Sequence, residues 1–280
     1  MAIDQKELAY LCDFVYRRSA IVLGVDKEYL VEARLGPLAR AEGFVSIDAL
    51  IRQLRVPTPN VLHTKVIETM TTHETTFLRD LHPFEAFRTT MIPALREARA
   101  ATKSISILCA ACSTGQEPYS VAMLLREHFV DLKAWSVKII ATDLSKAVLD
   151  RARSGLFHQV EINRGLPAAF LVKYFERTGA DWQLRPEIRN LVEFRQMNLI
   201  EPWPSLPRVD VFFLRNVLIY FDVPTKQQIL ARARQVLAPD GYLFLGAAET
   251  TLNIDDAFER TQVGKGVFYR PPQGSGTSRK

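Results

Sequence analysis

Arg215 and Asn216 stand inside an otherwise apolar run, VFFLRNVLIYF, residues 211–221. A buried arginine or asparagine without partners costs several kcal/mol, so the run must end there at a ligand cleft or at an internal polar network. Three other apolar runs end in the same way. ISILCA leads into AACSTGQEPYS, where small residues and Gly115 permit close backbone approach and Glu117 stands near a helix start. VKIIAT is followed by Asp143, and LVEFRQM by Asn198. Ligands in open α/β sheets bind beyond the carboxyl ends of the strands, and an acid at the second strand end is the usual partner of ribose hydroxyls. Four polar strand ends in succession therefore point to the rim of a cleft.

The elements that must hold these residues follow from periodicity. Over the first 80 residues the pattern is helical: Leu8, Leu11, Phe14 and Val15 share one face, Ser46 is a plausible N-cap for SIDALIRQLR, and Thr58 with Pro59 is expected to open the helix TPNVLHTKVIETM. From about Pro83 another helix, FEAFRTTMIPALREARA, leads into β-rich runs alternating with amphipathic helices, the signature of a mostly parallel sheet covered on both faces. The turn APDG is expected to separate TKQQILARARQVL from the strand YLFLG, and KGVFYR is the last strand. Residues 155–190 interrupt the alternation, and FERTGADWQLRPEIR suits a small β-insert. The expected domains are a helical one over 1–80, an α/β one over 81–270 with this insert, and a disordered polar tail over 271–280.

The 280 residues are 48% hydrophobic with a formal charge of +5. No segment approaches the roughly 20 apolar residues that span a bilayer, so a cytoplasmic chain without membrane insertion is expected. Lys and Arg are scattered, which argues against a nucleic-acid partner. Cys109 and Cys112 spell C-x-x-C between a strand and a helix, the setting of a thioredoxin-like redox pair; small strand-end residues account for both positions as well. No second such pair or histidine cluster suggests zinc, and no metal is expected. After the first strand there is neither G-x-G-x-x-G nor a Gly-rich run ending in Lys-Ser/Thr, so a pyrophosphate cradle is not expected. An adenosine-type ligand without phosphates remains, and S-adenosylmethionine is the common one.

ETTFLRD (74–80), AACSTGQEPYSVAM (110–123), ATDLS (141–145) and FLRNVLIYFD (213–222), in that order and spacing, resemble the chemotaxis receptor methyltransferases of the CheR family. The resemblance covers nearly the whole chain. It implies a class I S-adenosylmethionine-dependent methyltransferase: a Rossmann-like, mostly parallel sheet with an antiparallel last strand, a small all-helical N-terminal domain and a β-insert. The implied reaction is esterification of glutamates on the cytoplasmic helical bundle of chemoreceptors, with S-adenosylhomocysteine as product. Carried over by motif, Arg79 and Tyr220 are implied as catalytic. His73, Thr75, Arg79, Ala111, Glu117, Asp143, Asn198, Leu199, Arg215 and Asn216 are implied around the cofactor, and Arg34 and Arg40 in receptor docking.

The chain departs from that family pattern in three places. His73 stands where asparagine is frequent, Gln116 replaces the first glutamate of GEE, and Gly36, Pro37 and Leu38 occupy positions where relatives carry further basic residues. The insert over 177–190 is also shorter than in members that bind a receptor C-terminal pentapeptide, so docking independent of that tether is expected. Two other functions fit the residues: methylation of another protein or a small carboxylate, and a non-catalytic regulator that keeps the cofactor pocket.

Overall fold

A computed structural model describes residues 3–24, 27–56 and 58–272; apart from Pro271 and Pro272, the expected disordered tail lies outside the described residues. Contacts divide the chain into two units, residues 1–73 with 220–225, and residues 74–219 with 226–280.

The first unit is helical. Helix α1, Gln5–Ser19, is capped by Asp4, whose carboxylate accepts the Lys6 and Glu7 N–H groups, and it buries the expected face of Leu8, Leu11, Phe14 and Val15. α2, Glu28–Ala41, buries Val31, Leu35 and Ala39. α3, Ile47–Gln53, is capped by Ser46, which accepts the Ala49 N–H as its position predicted. α4, Val61–Met70, starts later than expected. Its cap is Asn60 and not Thr58: the Asn60 side chain accepts from Leu62 and His63, while His63 turns back to the Asn60 N–H. Asparagine is the better cap, and the reciprocal pair closes a capping box that leaves Pro59 outside the helix.

The second unit opens with a helix in three parts, α5 His82–Ala86, a π turn Phe87–Met91 and α6 Ile92–Ala98. The π turn has a local cause. Pro93 has no N–H for the Thr89 carbonyl and its ring crowds that turn, so the ladder widens and the Ile92 N–H bonds Phe87 O instead. Then come β1 Ser104–Ala110, α7 Gln116–His128, β2 Ser136–Asp143 and α8 Lys146–Ser154. The insert follows, with β3 Leu156–His158, α9 Gln159–Ile162, α10 Ala168–Tyr174, β4 Phe175–Thr178, β5 Asp181–Leu184 and α11 Pro186–Arg189. The chain returns through β6 Val192–Gln196, β7 Val209–Leu214, α12 Val223–Val236, β8 Leu237–Leu245, β9 Glu259–Val263 and β10 Gly266–Arg270.

The main sheet has the order β6-β2-β1-β7-β8-β10-β9, and β3-β5-β4 form a separate antiparallel sheet. The first five strands of that order pair parallel, while β10 runs antiparallel to both its neighbours. In register, Leu108 lies between Ile140 and Phe212, and Phe212 beside Leu243. All six residues of β7 are buried, which is why the strand is apolar from Val211 up to Arg215, with only the paired Asp210 interrupting it at its start. Two expectations are corrected. APDG is not a turn outside the strand: it is a bulge inside β8, where the pairing jumps from Val209–Leu237 to Val211–Tyr242. The edge strand β9 was not foreseen, because ERTQV shows an exposed edge and no apolar alternation.

At the amino ends of the central strands, Arg99 clamps Asp210 at 2.9 Å and Asp240 at 2.8 Å, and Asp210 accepts the Ser106 N–H at 2.7 Å. The insert supports the segment 74–80. Phe77 is fully buried, with ring centroids 5.0 Å from Phe157 and 5.8 Å from Phe175. Gly165, at φ +92°, lies so close that a Cβ would stand 2.2 Å from the Phe77 carbonyl oxygen. Gly165→Ala should therefore cost more than the backbone strain of about 1–2 kcal/mol. Gly179→Ala, at φ +63° with open space around it, should cost only that strain. Urea denaturation of the two variants measures the difference, and equal losses would contradict the close approach.

Candidate active site

The carboxyl ends of β1, β2 and β7 converge. After β1 the backbone turns through three left-handed residues, Ala111 at φ 53°, Ser113 at 51° and Gly115 at 94°. A side chain on Gly115 would stand 3.1 Å from both Tyr119 and Ala152, so glycine lets this turn lie flat on α7 and α8. The Cys112 N–H bonds Thr142 O at 2.9 Å. Asp143, at the end of β2, accepts the Ser113 N–H at 2.9 Å and the Ser145 N–H at 3.0 Å. One carboxylate thus orders both loops, a preorganised acceptor of the kind a ribose diol requires. Beyond β6, Asn198 bonds the Ile200 N–H and Glu201, and the carbonyl of buried Leu199 accepts Trp203 and Arg232.

Arg215 resolves the question its sequence position posed. Its side chain is 1% exposed, and its nitrogens donate to Glu117 at 2.8 Å, to Asp80 at 2.8 Å and to the Arg79 carbonyl at 2.8 Å. The guanidinium lies 5.4 Å from the centroid of the Phe84 ring. Among the described residues its Nε is buried without a partner, a donor that a bound polar ligand would satisfy. Burial pushes the Glu117 carboxyl up, and Arg215 draws it back by charge and hydrogen bond. Arg215 is therefore the buried centre of an ion network, with buried Glu117 from the start of α7 and exposed Asp80 from the segment before α5.

Asn216 continues the chain in the left-handed region, at φ 57°. Its N–H donates to Glu249 at 2.8 Å, and the same carboxylate accepts from Gly246 at 2.6 Å and Ile219 at 3.3 Å. Sequence reading missed Glu249, although it follows the apolar run YLFLG just as the other site residues follow theirs. It also missed Asp80, which stands inside ETTFLRD as a mere neighbour of Arg79.

The ETTFLRD segment and the residue after it add three more left-handed residues, Leu78 at 49°, Asp80 at 65° and Leu81 at 39°. Such backbone costs of order 1–3 kcal/mol per residue and persists where its surroundings over-determine it. Here the Leu78 N–H bonds Ser120 Oγ at 3.0 Å, while Arg215 holds Arg79 O and Asp80. The half-buried Arg79 side chain makes one hydrogen bond among the described residues, Nη1 to Glu74 O at 2.9 Å. Thr75 lies half-buried in the same segment.

Four predicted site residues belong to the first unit. His73 Nε2 lies 2.6 Å from Thr71 Oγ1, and the Tyr220 carbonyl accepts the Val22 N–H at 2.9 Å. Arg34 closes the end of α4 by donating to Met70 O at 2.6 Å, Thr71 O at 3.0 Å and Thr72 Oγ1 at 2.8 Å. Arg40 is exposed. Cys109 and Cys112 are free thiols, and burial pushes both well up, the opposite of the thiolate character that redox exchange needs.

Removing one partner of a buried ion pair costs about 3–5 kcal/mol, so Arg215→Met should destabilise the protein by about that amount. Burial then raises the Glu117 carboxyl further, and the folded chain holds its proton to higher pH than the unfolded chain does. The deficit should be largest near about pH 7.5 and shrink as pH falls through the raised pKa towards the unfolded value of about 4.3. Urea titrations of both proteins at several pH values test this; a pH-independent deficit would remove Glu117 from the account.

A family model described as CheR methyltransferase, SAM binding domain, matches residues 73–267, and one described as CheR methyltransferase, all-alpha domain, matches residues 6–71. The chain is 40% identical over 262 residues to chemotaxis protein methyltransferase 1 of Pseudomonas aeruginosa, covering 92% of this chain and 94% of the relative. It is 37% identical to chemotaxis protein methyltransferase Cher2 of Pseudomonas putida, with the same coverage of 92% and 94%. Identity to chemotaxis protein methyltransferase 1 of Vibrio cholerae is 36%, over 96% of this chain and 98% of the relative. The chain therefore belongs to the CheR methyltransferase family, the enzymes that use S-adenosylmethionine to methylate.

Proposed function

We propose that this protein methylates glutamate side chains on the cytoplasmic helical bundle of chemoreceptors, giving glutamyl methyl esters that adapt signalling. The observation that supports the chemistry best is the state of Arg79. Asp80, its neighbour, is drawn to Arg215, and Arg79 is anchored by a single bond to Glu74 O, so the rest of its fork is left to receive an acceptor carboxylate.

A glutamate is ionised at neutral pH, its pKa being about 4.3, and needs no general base. Bound S-adenosylmethionine supplies an electrophilic methyl group. What the chain must add is position. Alignment of reacting groups is worth about 7 kcal/mol or more, whereas a hydrogen bond to a charged group is worth about 1.5–3 kcal/mol. In this reading Arg79 aims one carboxylate oxygen through a two-point contact, and Tyr220 approaches the methyl group. Asp143 takes the ribose, Glu117 the amino-acid part through the oxygen that Arg215 leaves, and Asn198 with Leu199 the adenine. His73, Thr75, Ala111 and Asn216 line the cofactor, and Arg215 acts from beneath by fixing Glu117 and the Arg79 backbone.

Arg34 and Arg40 serve receptor docking, Arg34 while also closing α4. Docking is independent of a receptor C-terminal pentapeptide, a reading supported by the four-residue strands β4 and β5 of the insert. A cytoplasmic setting accords with the absence, among the described residues, of a helix long and apolar enough to cross a membrane.

Methyl label from S-adenosylmethionine should pass to purified receptor signalling domains and be released as methanol by mild base. Arg79→Ala should lower kcat/KM by at least about tenfold to a hundredfold, the equivalent of the charged hydrogen bond lost. Arg79→Lys should be nearly as harmful, because lysine cannot reproduce the planar fork, and near-normal turnover of the lysine variant would sink the positioning role. Calorimetry with a receptor C-terminal pentapeptide should show no binding; tight binding would contradict tether independence.

A further inference from the structure

The β9–β10 hairpin is seated against α5 at Gly266, where a Cβ would stand 2.9 Å from His82 O and 3.0 Å from Ala86 Cβ. Beside it, at the carboxyl end of β8, is a cavity of about 360 Å³ whose walls include Asp80, Glu249, Thr250, Arg260, Lys265 and Tyr269. That volume is at the small end of the roughly 300–1,000 Å³ of ligand pockets.

The cavity wall carries two carboxylates and two cations that are not paired with one another. Its acids are already claimed: Asp80 by Arg215 at 2.8 Å, and Glu249 by the N–H groups of Gly246, Asn216 and Ile219. Its cations are not. Arg260 and Lys265 are exposed, and among the described residues neither is paired with a carboxylate. The cations are thus the wall's charges left free to meet a ligand, and the ligand group that matches them is a carboxylate.

The position of the cavity narrows the source of that carboxylate. Asp143 and Asn198 end strands on the β6-β2-β1 side of the sheet, whereas the cavity lies on the β8-β10 side. Asp80 in its wall is adjacent to Arg79, so a chain held at Arg79 has neighbours within reach of it. A free carboxylate gains little from two solvent-screened cations. One attached to a chain already docked gains from a high effective concentration.

We propose that this cavity is a second recognition site for the protein substrate, in which Arg260 and Lys265 hold an acidic side chain flanking the glutamate that is methylated. The inference rests on the proposed receptor methylation and names the feature by which the acceptor segment is chosen. It adds a charge requirement at a distance from the reacting carboxylate.

The test compares the wild-type protein with Arg260→Glu/Lys265→Glu on purified receptor signalling domains, reading base-labile methyl label and, separately, S-adenosylmethionine affinity. The double variant should raise KM for the receptor about tenfold or more, with cofactor affinity unchanged. The wild-type KM should rise steeply with ionic strength and the variant's should not. Replacing acidic residues flanking the methylated glutamate by glutamine should raise the wild-type KM and leave the variant's unmoved. If charge reversal impairs cofactor binding, the neutral Arg260→Gln/Lys265→Gln pair takes its place. Labelling by the wild type with an unchanged KM in the variant overturns this inference alone. If free glutamate or succinate at millimolar levels restores the variant's deficit, the site takes small carboxylates and the protein-side-chain assignment is wrong. A wild type that labels no receptor overturns the receptor reading and this inference with it.

Discussion

A guanidinium taken out of water needs carboxylates at hydrogen-bond distance, and Arg215 draws its partners from two remote parts of the chain. Glu117 lies 98 residues away and Asp80 lies 135. Meeting that demand brings the start of α7 and the segment before α5 to the end of β7. The left-handed backbone at Leu78, Asp80 and Leu81 is sustained by the same network, because Arg215 grips both the Arg79 carbonyl and the Asp80 side chain. The rigidity of the site therefore derives from one buried guanidinium and the two carboxylates it gathers.

The opposite edge of the sheet uses the same chemistry to another end. Arg99 with Asp210 and Asp240 ties the amino ends of β1, β7 and β8, and Arg99 is held well above its ordinary range, chiefly by its hydrogen bond to Asp240. There one guanidinium engages both carboxylates. At the carboxyl edge the acids are used up by Arg215 and by backbone N–H groups, so the cations left over face outward.

Much of this was legible in the residues. The alternation of apolar runs with amphipathic helices specified the parallel sheet, since strands buried on both faces cannot show polar alternation. The rule that ligands meet strand ends singled out Glu117, Asp143, Asn198 and Arg215 as candidates. What stayed hidden was non-local or polar. That Arg215 would pair with Asp80 depends on a contact between segments far apart in the chain. Glu249 hid behind the plain stretch GAAET, β9 lacks an apolar face, and the APDG bulge reads as a turn because its residues are turn residues. At α4 the competition between Thr58 and Asn60 was decided by a reciprocal bond with His63 that no single position reveals.

Residues 220–225 complete the helical unit although they follow β7. The Tyr16 hydroxyl donates to Asp222 across 206 residues of sequence, and the Val22 N–H meets the Tyr220 carbonyl. Loop closure over such a span precedes any reward from the contact. During vectorial synthesis, then, the helices that emerge first cannot finish their own packing until most of the catalytic sheet has left the ribosome, and the first-made unit is among the last to mature.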